Sequence, residues 1–392
     1  MTYNFDRVVD RHHSECEKWD NTMAIFGEDN VIPLWIADMD FPCADPIIEA
    51  IHRRTRHGIF GYCLREEGYW LSVQNWLERR SGWWVPTETM LHSPGVVAGV
   101  AFAMLANTEK GDGVMIQPPV YHPFANVINI NERRVVNNPL IHTADGYRID
   151  FEDFERKAAE SKVFILCNPH NPSGRAFTRE ELLRMGEICL RHSVVIISDE
   201  IHSDFVYAPR HHTHIASLSP ELAARTVTLI APSKSFNVAG FCTAVAIIPD
   251  EKLREGYTHQ MMKIHLDNSN ICGAVALQTA YNECEDWLDQ IMKYLESNID
   301  FVLDFLKKNL PNVHCHKPEA TFLMWLDFRD WGLTEEQLDD FLIHKAYLGM
   351  NHGSMFGVEG TCFQRMNIGA PRATIERALN QLLAAARVEK YV

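Results

Sequence analysis

The chain has 392 residues and carries 37 basic against 52 acidic side chains, which gives a formal net charge of −15 at pH 7. Hydrophobic residues make up 46% and charged residues 23%, a balance that is typical of globular proteins and excludes a disordered or fibrous chain. At roughly 150 residues per domain, the length predicts two or three domains. The acidic excess disfavours nucleic acid as a partner, because a phosphate backbone is bound by basic surfaces.

Ten cysteines are spread along the chain, and no two of them form a C-x-x-C pair. In a chain of this length they do not indicate a disulfide framework, so we expect free thiols. The first twenty residues are rich in charge and lack the apolar stretch of a secretion signal, and apolar runs such as Val194–Ile197 are too short to span a bilayer. These features predict a cytoplasmic protein without membrane association.

The middle of the chain alternates helical patterns with short β-branched runs. This order is typical of βαβ units, which build a mainly parallel sheet. Thr178, followed three residues later by Glu181, predicts a capping box at the start of a helix that ends near His192. A further helix is predicted over Val97–Asn107, and the predicted strands are Val114–Gln117, Lys162–Cys167, Val194–Ile197 and Thr226–Ile230.

A long helical pattern from Glu285 to Leu310 leads into a second unit. There the pattern predicts strands over Thr321–Asp327 and Thr361–Ile368 and helices over Thr334–Lys345 and Ala373–Val388. We expect the first 45 residues to pack with this C-terminal unit. The predicted domains are therefore residues 46–284 and, for the smaller one, residues 1–45 together with 285–392.

Polar residues follow three of the predicted strands at the points where these strands end. Asn168–Gly174 follows one strand, Ser198–Glu200 ends the next, and Ser233 and Lys234 follow the third. The carboxyl ends of parallel strands share one edge of a sheet, and open α/β sheets bind ligands along that edge. We therefore expect a ligand site that is built from these three clusters.

Lys234 and Asp199 are the first candidates for chemistry in these clusters, although the loop Asn168–Gly174 is the more specific motif. A lysine after a strand suits a Schiff base with a carbonyl cofactor, although most lysines are solvated surface charges. Asp199 ends a very apolar strand, where a carboxylate is costly unless it meets a positive partner such as a protonated pyridine nitrogen. A helix N-cap is the structural alternative for Asp199.

The loop Asn168–Gly174 contains two Asn-Pro steps. Such steps favour an extended, turn-rich loop and allow a cis peptide before Pro172. That geometry suits an Asn171 amide that is aimed at a phenolic oxygen. An ordinary turn is the alternative, because Asn, Pro and Gly all form turns.

Seven segments together resemble the class I/II aminotransferase superfamily of fold-type I pyridoxal 5′-phosphate (PLP) enzymes, in family order along nearly the whole chain. More narrowly, they resemble the MalY/PatB group of cystathionine β-lyase-like carbon–sulfur lyases. The segments are WIADMDFP (Trp35–Pro42), HGIFGY (His57–Tyr62), PPVYHPF (Pro118–Phe124), NPHNPSGRAF (Asn168–Phe177), SDEIHSD (Ser198–Asp204), SKSFN (Ser233–Asn237) and RMNIGAPR (Arg365–Arg372). The resemblance implies an α/β, aspartate aminotransferase-like fold, with a large PLP-binding domain around a mainly parallel sheet and a smaller α/β domain.

The resemblance also implies roles for the residues of the expected site. Lys234 would bind PLP as a Schiff base and remove the Cα proton of the substrate, while Asp199 would keep the pyridine nitrogen protonated. Asn171 would donate a hydrogen bond to the O3′ oxygen of the cofactor. Tyr121 would stack on the cofactor ring; without the resemblance, Tyr121 is explained equally well as a core residue.

The phosphate of the cofactor would lie at the N-terminus of the helix that follows Gly95. The backbone N–H groups of Gly95, Val96 and Val97 would face it, and the helix dipole favours a dianion there. The resemblance adds a hydrogen bond from Ser233 and a contact from Tyr62 of a neighbouring subunit. It thus implies a homodimer with a shared active site, in which Tyr62 belongs to the catalytic set.

The substrate implied by the resemblance is a small amino acid. Arg365 would bind its α-carboxylate through two parallel hydrogen bonds, a geometry that arginine suits better than lysine. The backbone near Ala37 and the amide of Asn171 would line the same pocket.

Three positions depart from the pattern of many aminotransferases with this fold. Cys242 stands where they have an arginine that binds the phosphate, Ala231 where they often have a serine, and His202 where they have a tyrosine that touches O3′. The sequence D-E-I-H at 199–202 is that of the MalY/PatB lyases. We therefore expect His202 near the cofactor, with a hydrogen-bonded structural histidine as the alternative.

These observations predict a PLP-dependent carbon–sulfur β-lyase that cleaves cystathionine, cysteine or S-substituted cysteines by α,β-elimination to a thiol, pyruvate and ammonia. The alternative is a PLP-dependent class I/II aminotransferase, which shares the abstraction of the Cα proton but transfers the amino group to a 2-keto acid. A third hypothesis is a regulator that binds another protein. The joint presence of Lys234, Asp199 and Arg365 disfavours that hypothesis, because a binding role needs none of them.

The sequence His211-His212-Thr213-His214 raises the question of a metal site. It lies in a loop after Pro209, with no carboxylate or cysteine at ligand spacing in the sequence. A packed or solvated loop is therefore favoured, and no metal is predicted.

Overall fold

The computed structural model describes residues 2–268 and 270–392. Within these ranges the strands are β1 (Ile32–Pro33), β2 (Met90–Ser93), β3 (Gly113–Ile116), β4 (Arg134–Asn137), β5 (Ile141–Thr143), β6 (Gly146–Arg148), β7 (Val163–Cys167), β8 (Val195–Asp199), β9 (Thr226–Ile230), β10 (Ala244–Ile247), β11 (Leu323–Asp327), β12 (Leu348–Gly349), β13 (Asn351–His352) and β14 (Phe363–Asn367). The α-helices are α1 (Glu17–Asp20), α2 (Thr22–Phe26), α3 (Asp45–Arg56), α4 (Glu67–Ser81), α5 (Val96–Asn107), α6 (Pro123–Ile130), α7 (Phe151–Ala159), α8 (Arg179–Arg191), α9 (Pro220–Ala223), α10 (Pro232–Ser235), α11 (Glu251–Lys263), α12 (Ile271–Glu283), α13 (Glu285–Asn309), α14 (Glu335–His344) and α15 (Arg372–Val388).

A seven-stranded sheet in the order β2-β10-β9-β8-β7-β3-β4 forms the centre of the molecule. The pairs from β9 through β8, β7 and β3 to β4 are parallel, and β10 is antiparallel to both of its neighbours. Strands β7, β8 and β9 are buried along their whole length, which explains their nearly continuous apolar sequences. The predicted mainly parallel α/β fold is confirmed.

The predicted elements lie within a few residues of the observed ones. Strand β9 has the predicted bounds, and α13 ends one residue before the predicted Leu310. The capping box at the start of α8 is present, because the Thr178 hydroxyl accepts from the Glu181 N–H and the Glu181 carboxylate accepts from the Thr178 N–H. The peptide bond before Pro172 is cis, as the Asn-Pro step allowed.

A smaller antiparallel sheet, β11-β14-β13, is formed by the C-terminal part of the chain. The N-terminal segment joins this part through β1, in which Ile32 and Pro33 pair in parallel with Leu348 and Gly349 of β12. This pairing is the arrangement expected of a smaller domain that includes both ends of the chain. The boundaries 46–284 and 1–45 with 285–392 stay a prediction.

Helix α5 packs directly on the central sheet because Gly99 lacks a side chain. A Cβ at Gly99 would lie 2.6 Å from Leu229 Cδ2 of β9 and 3.0 Å from the Tyr257 hydroxyl. The close approach puts the N-terminus of α5 at the carboxyl edge of the parallel strands, where the candidate site lies. Among the described residues, no helix is both long and apolar enough to cross a membrane.

Candidate active site

A cavity of about 420 Å³ lies at the carboxyl ends of β7, β8 and β9. Its lining includes residues from all three of the polar clusters that the sequence singled out. The predicted site residues on its wall are Ala37, Val96, Val97, Tyr121, Asn171, Asp199, His202, Ser233, Lys234 and Arg365. The structure therefore brings together, around one cavity, groups that are spread over more than 300 residues of the sequence.

The amine of Lys234 points to the segment that precedes α3. Its Nζ donates a hydrogen bond to the backbone carbonyl of Ala37 at 2.7 Å. Burial lowers the pKa of Lys234 to about 8, and the nearby carboxylate of Asp38 partly offsets this effect. The lower pKa increases the fraction of free amine near neutral pH, which is the form that attacks a carbonyl carbon.

Two asparagines hold the Ala37 segment in place against Lys234. Asn237 donates to the carbonyls of Met39 and Phe41 and accepts from the Met39 N–H. Asn367 donates to the carbonyls of Ile36 and Asp38. Both asparagines belong to segments that carried the family resemblance, although no pattern in those segments indicated this positioning role.

Asp199 is the last residue of β8 and is almost fully buried. Its Oδ1 accepts from the backbone N–H of Ile201 at 3.1 Å, and the next residues form turns rather than a helix, so the N-cap alternative does not apply. Burial raises the pKa of Asp199 to about 7, although the Ile201 N–H favours the carboxylate. A positive partner in the cavity would restore full ionisation.

The N-terminus of α5 offers hydrogen-bond donors to the same cavity. The helix begins at Val96 after Gly95, whose φ of 149° suits glycine better than other residues. The first N–H groups of a helix have no acceptor within it, and the helix dipole adds partial positive charge there. Val96, Val97 and Ser233 all line the cavity, so this end can receive a phosphate group.

Arg365 is buried, and its guanidinium donates to neutral groups. Its Nη1 donates to Asn171 Oδ1 at 3.1 Å, and its Nη2 donates to the Trp35 carbonyl at 2.7 Å and to Asn351 Oδ1 at 2.6 Å. Its Nε has no hydrogen-bond partner among the described residues, and burial lowers the pKa of Arg365 to about 10. A buried guanidinium with an N–H left over in this way is suited to bind a carboxylate.

His202 is buried on the cavity wall, and within the described part of the chain its Nδ1 has no hydrogen-bond partner. Burial, together with the positive charge of Lys234, lowers its pKa to about 3, so the imidazole is neutral. Tyr121 is half-buried on the same wall, with its ring edge-on to Phe124 at 5.6 Å. Both side chains therefore present uncharged ring systems to whatever fills the cavity.

The cavity has the groups that PLP requires. Arg365 Nε and His202 Nδ1 are buried polar atoms to which residues 2–268 and 270–392 offer no partner, and a bound ligand could satisfy them. A free amine at Lys234, a carboxylate at Asp199 and the N-terminus of α5 match the aldehyde, the ring nitrogen and the phosphate of PLP in chemistry. The residues present thus fit the cofactor.

Two predicted site residues are not on the cavity wall. Gly95 precedes the wall residue Val96, at the N-cap of α5. Tyr62 is 95% exposed and does not line the cavity. Its predicted role requires a second subunit and stays a prediction.

Several wall residues were not predicted from the sequence. They are Glu17, Trp35, Ile36, His122, Cys167, Ile201, Ala239, Asn351 and Met355. Trp35, Ile36, His122 and Ile201 lie inside segments that carried the resemblance. Their position beside predicted site residues could therefore have indicated them. Asn351 had none, because only the pairing of β13 with β14 places it opposite Arg365.

Comparisons with known proteins agree with this site. The family described as aminotransferase class I and II matches residues 73–382. The chain is 41% identical to cystathionine beta-lyase PatB of Bacillus subtilis over 97% of this chain and 99% of that protein, and 32% identical to protein MalY of Escherichia coli over 98% and 99%. A PLP-bound C–S lyase from Staphylococcus hominis superposes with a TM-score of 0.91 at 31% identity, covering 98% of each chain.

The chain therefore belongs to the class I and II aminotransferase family. It is a PLP-dependent enzyme, and within the family it groups with the carbon–sulfur lyases of the MalY/PatB type.

Proposed function

We propose that this enzyme cleaves cystathionine, cysteine or S-substituted cysteines by α,β-elimination to a thiol, pyruvate and ammonia. The observation that supports this most directly is the shared cavity wall of Lys234, Asp199 and Arg365 in a chain 41% identical to a cystathionine beta-lyase. The assignments of individual residues below belong to this proposal.

PLP, when bound, supplies an electron sink that stabilises negative charge at the substrate Cα. Lys234 Nζ would hold the cofactor, and its free amine would accept the Cα proton of the bound substrate. The electron pair left at Cα forms a double bond to Cβ as the Cβ–S bond breaks. Lys234 can then pass the proton to the departing sulfur, and such proton transfers typically contribute about 10²–10⁴ in rate. Water then releases pyruvate and ammonia from the remaining three-carbon fragment.

Three other side chains orient the reaction. Asp199 would pair with the ring nitrogen of the cofactor, a positive partner of the kind that its buried carboxylate needs. Arg365 would bind the substrate α-carboxylate through Nε, the guanidinium nitrogen that has no partner among the described residues, and so align the Cα–H bond with Lys234. The amide NH₂ of Asn171 donates to the cofactor, since its oxygen is already bonded to Arg365.

A second copy of the chain is part of the proposal. Ile59, Phe60, Tyr62 and Leu64 are 60–95% exposed within six residues of sequence, an apolar surface that is unusual for an isolated chain. A homodimer would cover this surface and let Tyr62 reach the phosphate in the partner subunit. The ten free cysteines support the predicted reducing compartment, the cytoplasm.

The decisive experiment measures pyruvate from L-cystathionine or L-cysteine with no keto acid added. A lyase forms pyruvate in stoichiometric amounts with thiol. Turnover that strictly requires a 2-keto acid would instead identify an aminotransferase, the function for which the matching family is named. Incubation with S-methyl-L-cysteine then tests whether a simple S-substituted cysteine suffices.

A further inference from the structure

Glu200, His212 and His214 converge outside the active-site cavity. Their ligand atoms all lie within 4.8 Å of one another. His212 Nε2 is 2.9 Å from Glu200 Oε2, and His214 Nδ1 bonds to the same oxygen. Glu200 and His214 are buried, and the side chain of His212 is only 6% exposed. The sequence predicted no metal here because no carboxylate lies nearby along the chain, but the fold brings Glu200 to the histidines from the end of β8.

The cluster is held by a second layer of hydrogen bonds. The Ser198 hydroxyl donates to Glu200 Oε1 at 2.7 Å, and His214 Nε2 lies 2.8 Å from the Ser81 hydroxyl oxygen. The single hydroxyl proton of Ser81 is donated to the Leu77 carbonyl at 2.7 Å. His214 Nε2 must therefore be the donor to Ser81, which leaves Nδ1 directed at Glu200. Outer partners of this kind orient histidine and carboxylate ligands in metal sites.

A separate cavity of about 300 Å³ borders the two histidines of the cluster. His212 and His214 line it, together with Ser81 and Asp204. Arg80 and Arg210 also line this cavity, whereas Glu200 does not, so the two histidines are the ligands that face it. Two imidazoles and one carboxylate with an open fourth position form a known zinc ligand set, with metal–ligand distances of about 2.0–2.2 Å.

We propose that Glu200, His212 and His214 bind one Zn²⁺ ion. With its proton on Nε2, His214 presents the Nδ1 lone pair to the ion. The bound ion ties the loop that carries both histidines to the end of β8, one residue after Asp199. This site is independent of the proposed lyase function, and its test does not depend on turnover.

The experiment measures zinc in the purified holoenzyme. Protein is stripped with a chelator, incubated with zinc chloride, dialysed and analysed by elemental mass spectrometry. The matched control is His211→Gln, because His211 lies on the same loop but is exposed and outside the cluster. We expect wild type and His211→Gln to retain one zinc ion more per chain than the His212→Gln/His214→Gln variant, and to show a zinc-dependent rise in thermal midpoint that this variant lacks.

Zinc held by cysteines elsewhere contributes equally to His211→Gln and to the double variant. The difference in zinc content between these two proteins therefore reports only the zinc at the cluster. Retention of PLP absorbance shows that the double variant is folded; if it is not, His212→Gln alone replaces it, since His212 is the cluster residue that is less buried. Equal zinc content in all variants, or no zinc in wild type, would overturn the proposal.

Discussion

The side-chain oxygen of Asn171 accepts a hydrogen bond from Arg365 Nη1 at 3.1 Å. This bond joins the group proposed to bind the substrate carboxylate to the group proposed to contact the cofactor. A side-chain amide has one oxygen and one NH₂, so an oxygen that is bonded to Arg365 leaves the NH₂ as a donor for the cavity. Asn351 Oδ1 accepts a hydrogen bond from Arg365 Nη2 at 2.6 Å, but Asn351 is not proposed to contact the cofactor.

Asn171→Ala and Asn351→Ala should therefore differ in their effects. Both remove an acceptor from Arg365, and a hydrogen bond to a charged group contributes about 1.5–3 kcal/mol, so KM should rise about 10- to 100-fold in each. Only Asn171→Ala should also shift the pH titration of the cofactor absorbance, because it alone removes the proposed donor to O3′. Steady-state kinetics and spectrophotometric titration check both outcomes. An unchanged titration in Asn171→Ala would contradict its contact with the cofactor.

Lys234→Ala should give a protein without the visible absorbance of covalently bound PLP. Pyruvate formation should fall by about 10²–10⁴, because the variant lacks the proposed base for the Cα proton. Lys263→Ala is the matched control, since Lys263 is an exposed lysine on α11 whose amine donates to Gln260. A yellow Lys234→Ala protein, or a colourless wild type after reconstitution with PLP, would remove Lys234 from the site.

The pKa of Asp199 predicts how the stability of the cofactor-free enzyme depends on pH. Burial raises this pKa from 3.8 to about 7, so between these values the folded state holds a proton that the unfolded state has lost. The contribution of Asp199 to stability is therefore full below pH 3.8 and is lost as the pH rises towards 7. The Asp199→Asn variant lacks this titratable group. Its thermal midpoint should therefore fall less between pH 3.8 and 7 than the thermal midpoint of wild type.

Differential scanning calorimetry of both proteins without PLP measures this difference. If Asp199 pairs with the ring nitrogen as proposed, bound PLP would lower the pKa of Asp199, so the difference between the two pH profiles should shrink. Parallel profiles in the cofactor-free proteins would mean that Asp199 is already ionised and paired within the protein itself.

The elements that determine the cofactor site were predictable because their sequences obey local rules. Strand β9 is apolar along its length since both faces are covered, and the N-terminus of α5 follows a glycine. The three polar clusters follow from strand direction alone, because parallel strands end at one edge. Local rules are therefore sufficient to locate Lys234, Asp199 and Asn171 at that edge.

The rest of the site depends on contacts between distant parts of the chain. Asn351 meets Arg365 through the pairing of β13 with β14, and Ala37 meets Lys234 in a segment that Asn237 and Asn367 help to hold. Glu200 and His212 are twelve residues apart and show no ligand spacing in the sequence. No periodicity or motif encodes such contacts, so sequence patterns could not predict them.

Tyr62 provides the test of a shared active site. If it contacts the cofactor phosphate of the partner subunit, a heterodimer of one Tyr62→Ala chain and one Lys234→Ala chain contains one complete site, with Lys234 from the first chain and Tyr62 from the second. The other site lacks both groups. Differently tagged chains, co-expressed and purified in tandem, should show about half of wild-type activity, because one of two symmetric sites is intact. Each homodimer should be much less active, and a heterodimer of wild type with Lys234→Ala is the matched control. If Tyr62 acts within its own chain, the mixed dimer has no complete site and gains nothing over the Tyr62→Ala homodimer, a result that would exclude the shared site.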